Sequence, residues 1–146
     1  MPREKYNTPT DFLRGASAWV YNCSIFLSQE LTIMDNRTIL VFTRNGLGEG
    51  PAELQQKLAV KFLQLNLDAG TLPAKILFYT DGVKLACTGS PAIELLRAMS
   101  TRGVELLLCS TCLDYYALRD QVQIGIVGGM PDIIEALALA QKVISL

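Results

Sequence analysis

The amino-acid sequence predicts an α/β protein, a three-layer α/β/α sandwich around a mainly parallel five-stranded sheet, and three observations carry that prediction. From residue 38 onward, short apolar runs alternate with segments of helical period, the pattern of successive strand–helix–strand units that cover both faces of a parallel sheet. Glycine or proline marks the junctions, as at Gly70, Pro73, Pro91, Gly103 and Pro131. Half of the 146 residues are apolar, enough to bury one core and to form one domain.

Residues 38–43 (TILVFT) read as the first strand. The loop that follows carries Gly46, Gly48 and Gly50, and Pro51 suits the first turn of a helix. Leu54, Leu58, Val60, Phe62 and Leu65 form the expected apolar face of that helix, which Gly70 ends. Residues 74–80 (AKILFYT) make the second strand, and Asp81-Gly82 turns the chain into a longer excursion. Ser90-Pro91 has the form of an N-cap followed by proline at N1, with Ile93, Leu95, Leu96 and Met99 as the buried side of the next helix. Residues 104–108 are the third strand. Thr111 and Asp114 have the spacing of a capping box for a short helix over residues 113–120. Residues 122–127 (VQIGIV) form a fourth strand, limited by Gly128-Gly129. Pro131-Asp132 opens a helix with Ile133, Ile134, Leu137 and Leu139 on its apolar side, and residues 142–146 return as a fifth strand.

Residues 1–36 lack a convincing strand or helix period and read as an N-terminal extension to a domain at residues 37–146. The competing expectation is a helix around residues 12–31 that packs on the domain or on a partner. No apolar stretch approaches the ~20 residues that a membrane-spanning helix requires.

Composition excludes whole classes of chemistry. There is no histidine, so Ser-His-Asp and Cys-His catalysis, a histidine base and a histidine-bearing zinc site are ruled out. Thirteen basic residues against fourteen acidic ones leave a net charge of −1 with no basic run, so nucleic-acid binding lacks its electrostatic footprint. The loop at residues 46–50 has G-x-G-x-G rather than the dinucleotide fingerprint, and a tight strand-to-helix turn is its expected role.

What remains is sulfur. Cys109-Ser110-Thr111-Cys112 follows the third strand and leads into the short helix. There, free backbone N–H groups and the helix dipole lower a thiol pKa. With Thr111 as N-cap, Cys112 stands at N1. With Cys109 as N-cap, Cys112 falls at N3, and the sequence leaves both open. One Cys-x-x-Cys pair cannot build a four-thiolate zinc site, and Cys23 and Cys87 complete it only on paper, so neither a metal nor a cofactor is expected. Cys87 is expected to be a small buried residue. In a parallel sheet, ligands sit beyond the carboxyl ends of the strands, which nominates a substrate-binding rim of Asn45, Gly46, Gly48, Asp81, Gly82, Lys84, Ser110, Thr111 and Met130 around the catalytic candidates Cys109 and Cys112. On that rim Asp114 would oppose a thiolate, and Lys84 or Arg44 would offset it.

Residues 38–146 resemble the DsrE/DsrF-like sulfur-relay family, and within it the YedF-type, sulfurtransferase-like branch associated with selenium metabolism. The resemblance rests on the glycine loop 46–50 with Leu54, on residues 77–85 (LFYTDGVKL), on Gly89-Ser90, on residues 103–105, on residues 109–116 (CSTCLDYY), on Gly125 and Met130, and on the closing KVISL. It implies a five-stranded α/β/α domain in which the cysteine at position 109 accepts sulfur as a persulfide and passes it on. It also implies homo-oligomers and a sulfur donor or TusA-like carrier as partner. The Cys-Pro-x-Pro motif of a fused TusA-like domain is not present, so the carrier is expected on a separate chain. Free thiols and the lack of a secretory pattern imply a cytoplasmic location, with no nucleic acid and no membrane as partner. Rival expectations are a dithiol–disulfide redox protein and a non-catalytic assembly subunit.

Overall fold

Five apolar runs between Thr38 and Ser145 pair into one parallel sheet in the computed structural model, which describes residues 34–146. The expectations for residues 12–31 and Cys23 lie outside the described residues. The strands are β1 (Thr38–Phe42), β2 (Lys75–Phe78), β3 (Glu105–Cys109), β4 (Ile126–Gly128) and β5 (Lys142–Ser145). The helices are α1 (Ala52–Ala69), α2 (Ile93–Thr101), α3 (Ser110–Tyr115) and α4 (Met130–Leu139). The spatial order β4-β3-β2-β1-β5 follows from right-handed crossovers. Three successive steps in one direction keep α1 and α2 on one face, and the long return from β4 to β5 carries α4 across the other.

Strand register sorts the core by face. Leu40 pairs with Ile76 and Ile76 with Leu106, while Phe42 pairs with Phe78 and Phe78 with Leu108. All six point to the α1–α2 side and are at most 2% exposed. The Phe42 and Phe78 rings stack with centroids 5.7 Å apart, an arrangement worth roughly 0.5–1.5 kcal/mol beyond the area it buries. Arg102 donates from its guanidinium to the Leu67 carbonyl at 3.0 Å and so joins the C-terminal ends of α2 and α1. The opposite face of the sheet carries Ile39, Val41, Leu77 and Leu107, and α4, which packs on β3 and β4, buries only Ile133 and Ala136 of its own side chains. A groove of about 560 Å³ remains along that helix, bordered by Ile39, Leu107, Ile126, Val127 and Leu139.

Several local expectations change. The buried stripe of α1 is Ala59, Leu63 and Leu67, while Leu54, Leu58 and Leu65 face outward. The sheet selects the stripe whose members recur every four residues, and the other leucines are left on the surface. Ser90 caps a turn one step early, accepting the Ala92 N–H at 3.2 Å, and α2 begins at Ile93. The fourth strand is only three residues long. Gly125 adopts φ +100°, and Thr88 N–H donates to the Gln121 carbonyl at 2.8 Å and Gln123 N–H to the Ala86 carbonyl at 2.9 Å. Those bonds draw residues 121–123 out of the sheet and against the turn after β2. Ile134 and Leu139 of α4 point outward rather than inward. At the chain's end, Leu146 N–H donates to the Val41 carbonyl at 2.8 Å, so the last residue continues the ladder beside β1.

Candidate functional site

Because every strand runs the same way, the segments after β1, β2, β3 and β4 lie at one end of the sheet. The Cys-x-x-Cys motif closes β3 there. Cys109 is its last residue and the N-cap of α3, with φ −68° and ψ 116°, which places Cys112 at N3. Of the two helix starts open to the sequence, the one at Cys109 is adopted. Thr111 is exposed on the first turn and makes no capping box with Asp114. Arg119 instead holds the Asp114 carboxylate with two hydrogen bonds of 2.7 and 2.8 Å. The helix ends at Tyr115, and Ala117 then takes φ +53° on the way into a short 3-10 turn over Arg119–Gln121.

The two thiols differ. Cys109 is 3% exposed and belongs to the core, whereas Cys112 is half-buried and reaches the surface. The Cys112 Sγ accepts the Thr80 backbone N–H at 3.0 Å. Burial, followed by the neighbouring Cys109 thiol, pushes Cys112 above the ordinary thiol range, and only the Thr80 N–H acts in the other direction. For Cys112 the lowering expected from a helix start is therefore not found. A helix of six residues has a small dipole, and removing the thiolate from water costs more than that dipole returns.

Thr80 is the site residue that the sequence reading missed. It opens a 3-10 turn over Thr80–Ala86 and stands at φ +50°, a conformation that β-branched residues rarely adopt. Its hydroxyl donates to the Thr43 carbonyl at the end of β1 and shares its proton with the Tyr79 carbonyl at 2.7 Å. That anchor holds the turn between β1 and α3. No pattern in the sequence announces a left-handed threonine.

The charged members of the rim are already paired. Asp81 binds Lys84 at 2.5 Å, the Lys84 ammonium lies 4.2 Å from the centre of the Tyr116 ring, and the Tyr116 hydroxyl donates to Asp81. The Lys84 hydrogen bond holds the Asp81 carboxyl below its usual range against partial burial, and the contact with Asp81 pushes the Tyr116 phenol up. Arg44 is tied to Glu49 at 2.6 Å. Neither cation offsets a thiolate, and Asp114, neutralised by Arg119, does not oppose one.

Two of the nominated glycines serve the protein itself. A Cβ on Gly82 would lie 2.0 Å from the Phe42 carbonyl oxygen, and one on Gly46, at φ +152°, would lie 2.5 Å from the Gln55 backbone. The close approach they permit is to the protein's own backbone rather than to a substrate. Gly48 is open to solvent at φ +78°, and Ser110 is half-buried beside the thiols. Met130 is exposed at the start of α4 on the opposite face. Asn45 and Lys84 share a depression of about 260 Å³ with Gln56, Ser90 and Gln121. Cys87 is buried and donates its thiol to the Val83 carbonyl at 3.2 Å, and burial pushes its pKa up. All three described cysteines are free. Among the described residues no group of acidic, histidine or cysteine side chains could hold a metal, and no helix is long and apolar enough to cross a membrane.

The architecture is similar to that of a protein of unknown function from Methanobacterium thermoautotrophicum, with 15% identity, a TM-score of 0.57, and coverage of 77% of this chain and 100% of the other. It is also similar to the ychN protein of E. coli, at 15% identity and TM-score 0.54 over 75% and 98% of the two chains. A conserved protein of unknown function from Bacteroides thetaiotaomicron matches at 14% identity and TM-score 0.55 over 78% and 98%. At these identities the likeness concerns the fold. No curated protein matches the chain. The model of the DsrE/DsrF-like family matches residues 39–146, a span that takes in all five strands except the first residue of β1 and contains both thiols at the end of β3, and the chain belongs to that family.

Proposed function

We propose that this chain carries sulfur, or selenium, as a persulfide-type adduct on the Cys109–Cys112 pair and hands it to a partner protein, in the manner of the YedF-type branch. The observation that carries the reading is a pair of adjacent free thiols at the carboxyl end of β3, one of them open to solvent, in a DsrE/DsrF-like domain without histidine. Persulfide exchange needs a thiol nucleophile and a second thiol to resolve the adduct, with no imidazole or metal. A thiol of raised pKa is ionised in a smaller fraction but is a stronger nucleophile once ionised, so a slow, partner-gated exchange suits this site better than rapid turnover. Free thiols of this kind suit a reducing cytoplasm.

The donor in this reading is a small TusA-like sulfur-carrier protein or another persulfide. The outward apolar residues Ile126, Val127, Ile134 and Leu139 support self-association along the β4–α4 side. Sedimentation of the wild type against Ile126→Glu tests that part, and a wild type that is monomeric at every concentration would refute it.

Incubation with a hydropersulfide donor and intact mass measurement tests the carrier itself. The expected result is a gain of one sulfur atom that Cys109→Ser/Cys112→Ser abolishes. An unchanged mass for the wild type, or an undiminished gain in the double variant, rejects the reading. A loss of two hydrogen atoms in the wild type together with no sulfur uptake by Cys109→Ser would instead favour a dithiol–disulfide redox protein, for which the contact between the two thiols is the supporting observation.

A further inference from the structure

We propose that Cys112 is the entry thiol of the pair, that Cys109 is its buried resolving partner, and that Thr80 is a positioning residue whose backbone N–H holds the Cys112 sulfur. The assignment rests on the sulfur-carrier reading but reverses the order that the family resemblance implies.

Three observations carry it. Cys109 is 3% exposed, so a donor reaches Cys112 first. The Thr80 N–H meets the Cys112 sulfur at 3.0 Å from a different loop, 32 positions away in the chain. Thr80 is kept at φ +50° by its hydroxyl, which is anchored on the Thr43 carbonyl of the neighbouring strand. A non-glycine residue in the left-handed region is maintained only where its surroundings compensate, and such residues cluster at functional sites. A backbone donor fixed in this way stabilises charge on sulfur without reorganisation. The titratable and charged groups on the elements packed against α3 are Cys109 and, at the far end of β3 and paired with Lys75, Glu105, then Asp81 and Lys84 on the turn after β2, and Arg119 and Asp120 on the following 3-10 turn, with Asp114, Tyr115 and Tyr116 beside Cys112 in its own segment. Asp81 is neutralised by Lys84 and Asp114 by Arg119, which leaves the Thr80 N–H as the group that stabilises charge on Cys112.

In the loading step the Cys112 thiolate attacks the outer sulfur of a donor R–S–SH. A new S–S bond forms, the old one breaks, and R–S⁻ leaves with its electron pair and takes up the proton that Cys112 lost. The product is Cys112–S–SH, with no net oxidation. A partner thiolate that attacks the outer sulfur takes it as partner–S–SH and releases the Cys112 thiolate; where no partner is engaged, Cys109, as its thiolate, attacks the inner sulfur, expelling hydrosulfide and closing a Cys109–Cys112 disulfide. A dithiol reductant, itself oxidised to a disulfide, reopens that bond.

The test is iodoacetamide labelling of the full chain across pH, with the labelled peptides identified by mass spectrometry, on the wild type, Cys109→Ser, Cys112→Ser, Thr80→Ala and Thr80→Ser. Cys112 is expected to label roughly tenfold faster than Cys109 or Cys87, in the wild type and in Cys109→Ser alike. Thr80→Ala is expected to slow Cys112 labelling at neutral pH by at least about threefold and to move its profile to higher pH, the result of weakening a charge-assisted hydrogen bond. Thr80→Ser, which keeps the hydroxyl anchor, restores the profile. Faster labelling of Cys109, or a Cys112 profile unmoved in folded Thr80→Ala, overturns the proposal. The cysteine variants decide the assignment even if Thr80→Ala fails to fold. Sulfur loading is scored on the same proteins. No adduct on either the wild type or Cys109→Ser, in which no resolving thiol can expel the sulfur, defeats the carrier reading while the labelling still judges the assignment, and an adduct retained by Cys112→Ser but lost from Cys109→Ser defeats the assignment alone.

Discussion

Between α1, α2 and the sheet, Leu40, Phe42, Ile76, Phe78, Leu106 and Leu108 are at most 2% exposed. Across the same strands, α4 leaves a groove of about 560 Å³, with Ile126 60% and Leu139 77% exposed. Among the described residues, helices of 18 and nine residues cover one face and a single ten-residue helix lies on the other. The difference teaches where this molecule can hold a fixed geometry. The turn that presents Thr80 to Cys112 is built on the closed side, where Gly82 lies against the Phe42 carbonyl and the stacked Phe42 and Phe78 rings end their strands. The open side offers apolar surface rather than positioned chemistry.

The comparison breaks most directly under truncation of one residue on each side. Phe78→Ala is expected to lower unfolding free energy by about 3–5 kcal/mol in urea titrations, and Leu139→Ala to change it by less than about 0.5 kcal/mol. Equal losses would mean that the two faces contribute alike. Gly82→Ala sharpens the link between closed core and site. Its Cβ collides with the Phe42 carbonyl, and a cost of about 1–3 kcal/mol should come with slower alkylation of Cys112. Normal stability with normal thiol reactivity would show that the turn is not set by that contact. Ile133→Val probes the few side chains that α4 does bury, and a loss of about 0.5–1.5 kcal/mol is expected, smaller than for Phe78.

The smallest effect is electrostatic. Asp81 is depressed in the folded state by Lys84, so its contribution is present above the unfolded carboxylate value and is lost as pH falls through the lower folded value. Asp81→Asn should therefore flatten the acid limb of stability against pH and leave the neutral plateau nearly unchanged, since the pair is largely solvated. A large change at neutral pH would reveal a structural role that the exposed geometry does not predict. Cys112, pushed up by burial, should react faster as pH rises into the alkaline range and show no plateau near neutrality.

The alternation of strands and helices, the parallel sheet and the placing of Cys109 and Cys112 at a strand end were legible in the residues, because apolar period and glycine or proline punctuation are local signals. Less was legible in α1. Leu54, Leu58 and Leu65 carry an apolar pattern as strong as Ala59, Leu63 and Leu67, and hydrophobicity alone does not say which stripe meets a sheet. The run at residues 122–127 has strand composition, yet backbone bonds to Ala86 and Thr88 remove its first half from the sheet.

By itself the sequence determined the order of the elements, the exclusion of histidine and basic-surface chemistry, and the presence of paired thiols beyond β3. Only the tertiary structure decided that Cys109 is sealed and Cys112 open, that a left-handed Thr80 aims its amide at the outer sulfur, and that Lys84 and Arg44 are committed to Asp81 and Glu49. The physical reason is range. Helix and strand periods are set by neighbours a few residues apart, whereas the burial and protonation of a thiol depend on groups that only the folded chain brings to it, here a hydrogen bond joining positions 80 and 112.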